Sequence, residues 1–158
     1  FTGFLFAGLM ITPAGEVKTL EFNCRMGDPE TQPIMMRLTS SLAELMLAGA
    51  TGRLDRVALT WDDRPALGVV LAAAGYPADP RKGDLVTGVP AATADSVVFH
   101  AGTTLQDGEL RASGGRVLCA TALGTTIEEA QTKAYALLGA IKLEGAQYRT
   151  DIGARAIR

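Results

Sequence analysis

The stretch EFNCRMGDPETQ, residues 21–32, decides how the rest of the chain is organised. It follows an apolar, strand-like run and precedes a run with helical spacing. Glu21, Asn23 and Arg25 alternate along it, so on a strand their side chains point to the same face. Oxygen donors side by side suit a hard cation such as Mg²⁺, and a guanidinium beside them suits a phosphate-bearing substrate. From spacing alone, simple solvent exposure of a strand end is the favoured interpretation.

The composition indicates a globular protein. Of the 158 residues, 47% are hydrophobic and 20% are charged, which is unlike a disordered chain. The net charge of −2 gives no general attraction to nucleic acid or to an anionic membrane, so we expect neither as a partner. Cys24 and Cys119 are far apart and lack metal-binding spacing. We therefore expect reduced thiols and a cytoplasmic protein.

The first residues predict a β-hairpin. Thr2–Thr12 is apolar nearly throughout, which predicts a strand buried on both faces. A Pro-Ala-Gly-Glu turn separates it from the alternating run Val17–Asn23. In that run Leu20 and Phe22 are expected to face a core, with Glu21 and Asn23 on the opposite side.

Helical spacing predicts two helices. The first runs from Ile34 to about Gly49, where apolar residues recur at three- and four-residue intervals. The second begins at Thr126, which forms a capping box with Glu129, and Gly145 is its expected stop.

The remaining apolar runs predict a mixed sheet, so the expected fold class is α/β (α+β). Strands are predicted at residues 57–61, 66–74, 97–101 and 116–123. The second of these is almost entirely apolar and is expected to be central. His100 is expected to be a hydrogen-bonded core histidine, and no catalytic triad can be assembled around it.

The string EFNCRMGDPETQP, residues 21–33, resembles the final metal-binding segment of the phosphoribosylamine–glycine ligases (glycinamide ribonucleotide synthetases), which are ATP-grasp enzymes of purine biosynthesis. The likeness continues, in order, through residues 75–77, 82–84, 99–103, 114–118 and 148–153 (GYP, KGD, FHAGT, GGRVL and YRTDIG). The first block is specific. The later blocks are individually weak, and their order strengthens the resemblance.

The resemblance implies a reaction and a site. ATP phosphorylates the carboxylate of glycine, and the amine of 5-phosphoribosylamine then attacks the acyl phosphate to give glycinamide ribonucleotide, ADP and phosphate. By position, Glu21 and Asn23 would hold Mg²⁺ or Mn²⁺ on the ATP phosphates. Arg25 is the expected catalytic residue and would hold the acyl phosphate or the substrate anion. Gly27 would let the backbone approach that anion, and Asp28 would meet an amine or a hydroxyl.

The resemblance also implies how the chain is divided. Residues 1–52 would be the last hairpin and helix of an ATP-grasp domain, and residues 53–158 a small mixed-sheet C-terminal domain. The glycine-rich lid, the phosphate-binding lysine and the adenine pocket of such enzymes are not among these residues. We therefore expect an N-terminal part of the same enzyme as a partner, and no activity from the 158 residues alone.

Two other interpretations stay open at the level of the sequence. The first is another ATP-grasp carboxylate–amine ligase or a biotin-carboxylase-like protein, since these share a Glu-x-Asn pair. The second is a non-catalytic α/β binding or assembly module. A lysine-bearing, glycine-rich region directly before Phe1 would favour a ligase, and glycine-dependent ADP release would separate the ligases from one another.

Overall fold

The structure is a computed structural model that describes residues 1–157. The strands are β1 (Phe6–Ile11), β2 (Val17–Asn23), β3 (Ala66–Ala72), β4 (Ser96–His100), β5 (Thr103–Gln106), β6 (Glu109–Ala112) and β7 (Arg116–Leu123). The helices are α1 (Thr31–Arg37), α2 (Leu42–Ala50) and α3 (Ile127–Ala140), with a 3₁₀ turn at Leu54–Arg56. This mixture confirms the predicted α/β (α+β) class. No helix among residues 1–157 has the length and the apolar run that crossing a membrane requires.

The core is an antiparallel sheet with strand order β3–β7–β4. Strand β7 is buried from Val117 to Leu123, and helix α3 packs on this sheet. Ala120, Ala130 and Ala134 are fully buried, and such small side chains let the helix approach the strands closely. The prediction that β3 is central is wrong, because β7 pairs with a strand on each side.

The opposite face of the sheet receives helix α1. Leu67, Val69 and Leu71 alternate toward the core that α3 covers, so Gly68 between them faces the other way. A Cβ at Gly68 would lie 3.2 Å from Cγ of Pro33, in the first turn of α1. The glycine therefore leaves the room in which α1 packs, directly after residues 21–32.

Strands β1 and β2 form the predicted hairpin, but its burial differs from the prediction. Strand β1 is mostly exposed, whereas we expected burial on both faces. Leu20 is 63% exposed and Phe22 is 62% exposed, although both were expected to face a core. The reason is that, within residues 1–157, the hairpin pairs with no other strand.

The predicted helix from Ile34 to Gly49 is in fact two helices, α1 and α2. Leu38 is extended and ends α1, and Ser41 begins α2 by accepting a hydrogen bond from the backbone N–H of Glu44. A serine that caps a new helix competes with the continuation of the previous one. Apolar periodicity alone does not indicate the break between α1 and α2.

The predicted strand at residues 57–61 is reduced to one isolated bridge. Trp61 pairs with Leu38, the residue that ends α1. The rest of the run is a loop, although the backbone N–H of Thr39 also donates to the backbone oxygen of Thr60 at 3.0 Å.

Two smaller predictions for the C-terminal half are also wrong. His100 is exposed at the end of β4, where its Nδ1 lies 3.0 Å from Oγ1 of Thr103, and it is not a core residue. Helix α3 ends at Ala140, well before Gly145, because the chain becomes extended at Ile141 and pairs with a neighbouring loop. Gly145 adopts a positive φ of 66° in a later turn.

Candidate functional site

The two predicted metal ligands lie at the end of β2. Glu21 pairs with Gly8 of β1, and Asn23 pairs with Phe6. Positions two apart on a strand share a face, so the two side chains leave β2 on the same side. The structure thus brings the two predicted ligands together.

A β-bulge lies immediately before Glu21. Gly8 and Leu9 are consecutive, yet their partners are Glu21 and Thr19, so Leu20 is the extra residue. A bulge increases the local twist and redirects neighbouring side chains. The bulge separates the end of the hairpin that carries Glu21 and Asn23 from the end at the turn.

Asn23 carries a buried polar atom without a partner. Within the described residues, the buried side-chain atoms lacking a hydrogen bond are Nδ2 of Asn23 and Oε1 of Gln32. Both lie within residues 21–32. Buried polar groups are normally paired, so each exception needs an explanation. No described acceptor holds the Asn23 nitrogen, so no hydrogen bond at that atom fixes which way the amide points.

The donor set fits a hard divalent cation. One carboxylate and one amide oxygen are the protein ligands that Mg²⁺ takes when waters and phosphate oxygens supply the rest. No group of three or more His, Cys, Asp and Glu side chains in residues 1–157 is placed to hold a metal. The pair therefore suits a cation shared with a phosphate ligand better than a closed structural site.

Arg25 is exposed and lies two residues beyond Asn23. Its Nη1 donates a hydrogen bond to the backbone oxygen of Met26 at 2.9 Å. Among residues 1–157 it forms no ion pair with a carboxylate. A guanidinium without a carboxylate partner is available to a phosphate or a carboxylate of a ligand.

Gly27 is buried within a tight turn. Its carbonyl accepts hydrogen bonds from the backbone N–H of Thr31 at 3.1 Å and from Oγ1 of Thr31 at 2.5 Å. A Cβ at Gly27 would collide with the carboxylate of Glu30 and would lie 2.8 Å from the ring of Phe6. The glycine thus lets the turn pack on β1, and protein atoms fill the space beside it. An approach of a ligand anion to Gly27 stays a prediction.

Asp28 is bound by an arginine from the core sheet. Nη1 of Arg116 donates to Oδ2 of Asp28 at 2.7 Å and to its backbone oxygen at 3.0 Å. Nε of Arg116 donates to the hydroxyl of Tyr76 at 3.1 Å. The hydrogen bond with Asp28 is the main reason that the pKa of Arg116 is raised above its ordinary value. The substrate contact of Asp28 stays a prediction, since a guanidinium already engages this carboxylate.

A cleft of about 320 Å³ opens beside this ion pair. Its lining includes Tyr76, Arg116, Tyr148 and Arg149, so two guanidiniums and two phenol rings converge there. Arg149 is held by Asp151 in a two-point ion pair, which raises the pKa of Arg149 and lowers that of Asp151. Concave surfaces with a few convergent polar groups are typical of ligand sites.

Reasoning from the sequence missed Arg116 and Tyr76 as parts of this site. Both lie in segments that carried the family resemblance, GGRVL and GYP. The available signal was the charge itself, since Arg116 opens a strand that is otherwise almost entirely apolar.

The fold is shared with a solved carboxylase structure. The biotin carboxylase domain of 2-oxoglutarate carboxylase from Hydrogenobacter thermophilus superposes with a TM-score of 0.64. The match covers 90% of this chain and 32% of that chain. At 12% identity this likeness shows the fold alone.

A second solved structure is similar in sequence as well as in fold. The crystal structure of phosphoribosylamine–glycine ligase from Thermotoga maritima is 39% identical and superposes with a TM-score of 0.80. That match covers 94% of this chain and 36% of the other.

Two family models match the sequence. Phosphoribosylglycinamide synthetase, ATP-grasp (A) domain, matches residues 1–31, which include all five predicted site residues. Phosphoribosylglycinamide synthetase, C domain, matches residues 66–155. The chain belongs to the phosphoribosylglycinamide synthetase family, as the resemblance of residues 21–33 predicted.

Curated relatives agree with this assignment. The chain is 60% identical over 158 residues to phosphoribosylamine–glycine ligase of Ralstonia nicotianae, covering 100% of this chain. It is 57% identical to the ligase of Pseudomonas putida, covering 99% of this chain. The chain spans 37% of the length of each of these relatives.

Proposed function

We propose that the chain is the C-terminal part of an ATP-dependent ligase of purine biosynthesis. The whole enzyme joins glycine to 5-phosphoribosylamine through glycyl phosphate and releases glycinamide ribonucleotide, ADP and phosphate. The observation that carries this proposal is the 60% identity, over the full chain, to a protein named phosphoribosylamine–glycine ligase.

In this proposal Glu21 and Asn23 hold Mg²⁺ or Mn²⁺ on the phosphates of ATP. Their shared face on β2 and the unpaired amide nitrogen of Asn23 support the assignment. When bound, the cation neutralises charge on the transferring phosphoryl group. The two side chains fix its position at the end of the hairpin.

Arg25 is the proposed catalytic residue and holds the acyl phosphate or the substrate anion. Support comes from a solvent-facing guanidinium that lies two residues beyond Asn23. Gly27 and Asp28 are proposed to border the same substrate. A guanidinium preorganised where negative charge develops stabilises the transition state directly.

The preceding part of the same enzyme is the proposed partner of the hairpin. The outer side chains of β1 and β2 are exposed, including Ile11 at 70% and Val17 at 62%. Exposed apolar strands with unpaired edges normally require a covering element. We propose that residues 1–52 complete an ATP-grasp domain with that part and that residues 53–158 form the C-terminal domain. We also propose a cytoplasmic location, in keeping with the free thiols of Cys24 and Cys119.

The test uses the full-length protein. We expect ADP release that requires glycine, 5-phosphoribosylamine and a divalent cation together. Glu21→Gln and Asn23→Ala should each weaken activation by the cation about 10-fold or more, because each removes a metal ligand or its charge. Glu44→Gln, on the exposed side of α2, is the matched control. ADP release that does not depend on glycine would contradict the proposal.

A further inference from the structure

We propose that Arg116 is a positioning residue for the reaction. It fixes the turn at residues 27–31, and through that turn the geometry of the metal-binding end of β2. The inference rests on the proposed function and assigns to the C-terminal sheet a part in building the phosphate site.

Arg116 makes a double contact with Asp28. One guanidinium nitrogen bonds both the carboxylate, at 2.7 Å, and the backbone oxygen, at 3.0 Å, of the same residue. A bond to the backbone fixes where the chain lies, and a bond to the side chain fixes its rotamer. Together they restrain Asp28 more than a surface ion pair does.

Arg116 is itself held in place. It opens β7, the central strand of the buried sheet. Its Nε donates to the hydroxyl of Tyr76 at 3.1 Å, and the guanidinium lies 6.0 Å from the centre of that ring. The Tyr76 ring packs over Gly115, where a Cβ would lie 2.5 Å from ring atom Cδ2. The glycine therefore gives the tyrosine the space from which it supports Arg116.

The turn packs on the strand that pairs with the predicted metal ligands. Gly27, beside Asp28, packs against the ring of Phe6 and bonds Thr31. Phe6 is the cross-strand partner of Asn23. A shift of the turn thus moves Phe6, which pairs with the proposed metal ligand Asn23. It also moves Arg25, which lies between Asn23 and the turn.

The restraint can be removed without unfolding the chain. Arg116 is 40% exposed and Asp28 is 46% exposed at their side chains, and exposed ion pairs contribute little to stability. Helix α1 is held on the sheet separately, through Pro33 over Gly68. Loss of Arg116 should therefore loosen the turn while the fold persists.

The experiment compares Arg116→Gln, Arg116→Lys and wild type in the full-length enzyme. Arg81→Gln is the matched control. Arg81 is 44% exposed, bonds the carboxylate of Asp84 and reaches the backbone of Glu144, 63 positions away. None of its hydrogen bonds or ion pairs in the described chain involves residues 21–32. Melting temperatures verify that each variant is folded.

The first measurement is hydrogen–deuterium exchange of the peptide covering residues 24–31, without metal or nucleotide. We expect about 10-fold faster exchange in Arg116→Gln and wild-type exchange in Arg81→Gln, because local opening follows lost tertiary restraint. Arg116→Lys should be intermediate, since lysine keeps the charge and loses the planar fork.

The second measurement is function. We expect Arg116→Gln to lower kcat about 10- to 100-fold, with a smaller change in KM for glycine, and to weaken the binding of Mn²⁺ with ATP by about 10-fold, as loss of groups that orient metal ligands does. Partial recovery by Arg116→Lys supports positioning.

The outcomes separate the two proposals. Unchanged exchange in both Arg116 variants overturns the inference, and so does faster exchange with wild-type kcat and Mn²⁺ affinity. If wild-type enzyme releases no glycine-dependent ADP, the proposed ligase function fails. Exchange and Mn²⁺ binding then decide the role of Arg116 by themselves. Should Arg116→Gln fold poorly, Arg116→Lys carries the same comparison.

Discussion

Glu21 lies directly opposite Gly8 in the β1–β2 hairpin, and a Cβ at Gly8 would be 3.1 Å from Cγ of Glu21. The side chain of the predicted metal ligand therefore extends over a position that has no side chain of its own. Few Cβ contacts are that short, so a larger residue at position 8 requires the Glu21 side chain to shift by a few tenths of an ångström.

Replacement of Gly8 tests the position of this carboxylate. In the full-length enzyme we expect Gly8→Ala to weaken activation by Mg²⁺ modestly and Gly8→Val to weaken it by about 10-fold or more, because the carboxylate is displaced in proportion to the added volume. Cation titrations of steady-state activity measure the effect. Equal activation constants in wild type and both variants would contradict the prediction.

Arg25→Ala should lower kcat/KM of the full-length enzyme by about two orders of magnitude or more, since it removes a cation from the place where phosphoryl charge develops. The melting temperature should change little, because within residues 1–157 the guanidinium bonds only the neighbouring backbone. Arg53→Ala, another exposed arginine, is the control. Near-normal turnover by Arg25→Ala would rule out the role.

Glu129 should make stability depend on pH at the start of α3. Its hydrogen bond to Lys133, and then those from the Thr125 side chain and N–H, lower the pKa of Glu129 from 4.5 to about 2. A depressed folded-state pKa stabilises the fold above the unfolded value, and the stabilisation is lost as pH falls through the lower one. Glu129→Gln should therefore melt below wild type at pH 7, and the difference should shrink between about pH 4.5 and 2.

Glu128→Gln is the matched control for this pH dependence. Glu128 lies in the same first turn of α3, and its side chain makes no ion pair in the described part of the chain. A difference in melting temperature that narrows equally for both variants would show that Glu129 is not the group responsible.

Gly139→Ala should stabilise the protein by about 0.5–1 kcal/mol, because glycine inside a helix is unfavourable relative to alanine. The position is exposed in α3, and an added Cβ would contact nothing within 4 Å. Denaturant unfolding measures the change in free energy. Gly124→Ala should act in the opposite direction, since its Cβ would lie 2.7 Å from the backbone oxygen of Thr126.

The sequence predicted best those elements whose signals are local. Strand β7 matches the predicted range 116–123, and Thr126 caps α3 by accepting the N–H of Glu129 as expected. The identity of the central strand was not predictable in this way, because β3 and β7 are both apolar and strand order depends on pairing across the chain. The break before α2 was missed because a capping serine outweighed apolar spacing.

The candidate site was also predictable only where its residues lie close together in the sequence. Glu21, Asn23, Arg25, Gly27 and Asp28 follow one another in the sequence, so a local pattern contains them. Arg116 is 88 positions from Asp28 in the sequence. The two residues meet because helix α1 packs on the sheet whose central strand is β7. No periodicity or turn signal in either segment indicates that contact.

The packing of Pro33 over Gly68, together with the bond from Arg116 to Asp28, bears on how members of this family can be recombined. A chimera joined near residue 52 would take one partner of each contact from each parent. Such a hybrid requires matched residues at both contacts, even though the junction lies in neither. Crossovers placed before residue 21 or after residue 123 would inherit both contacts from one parent.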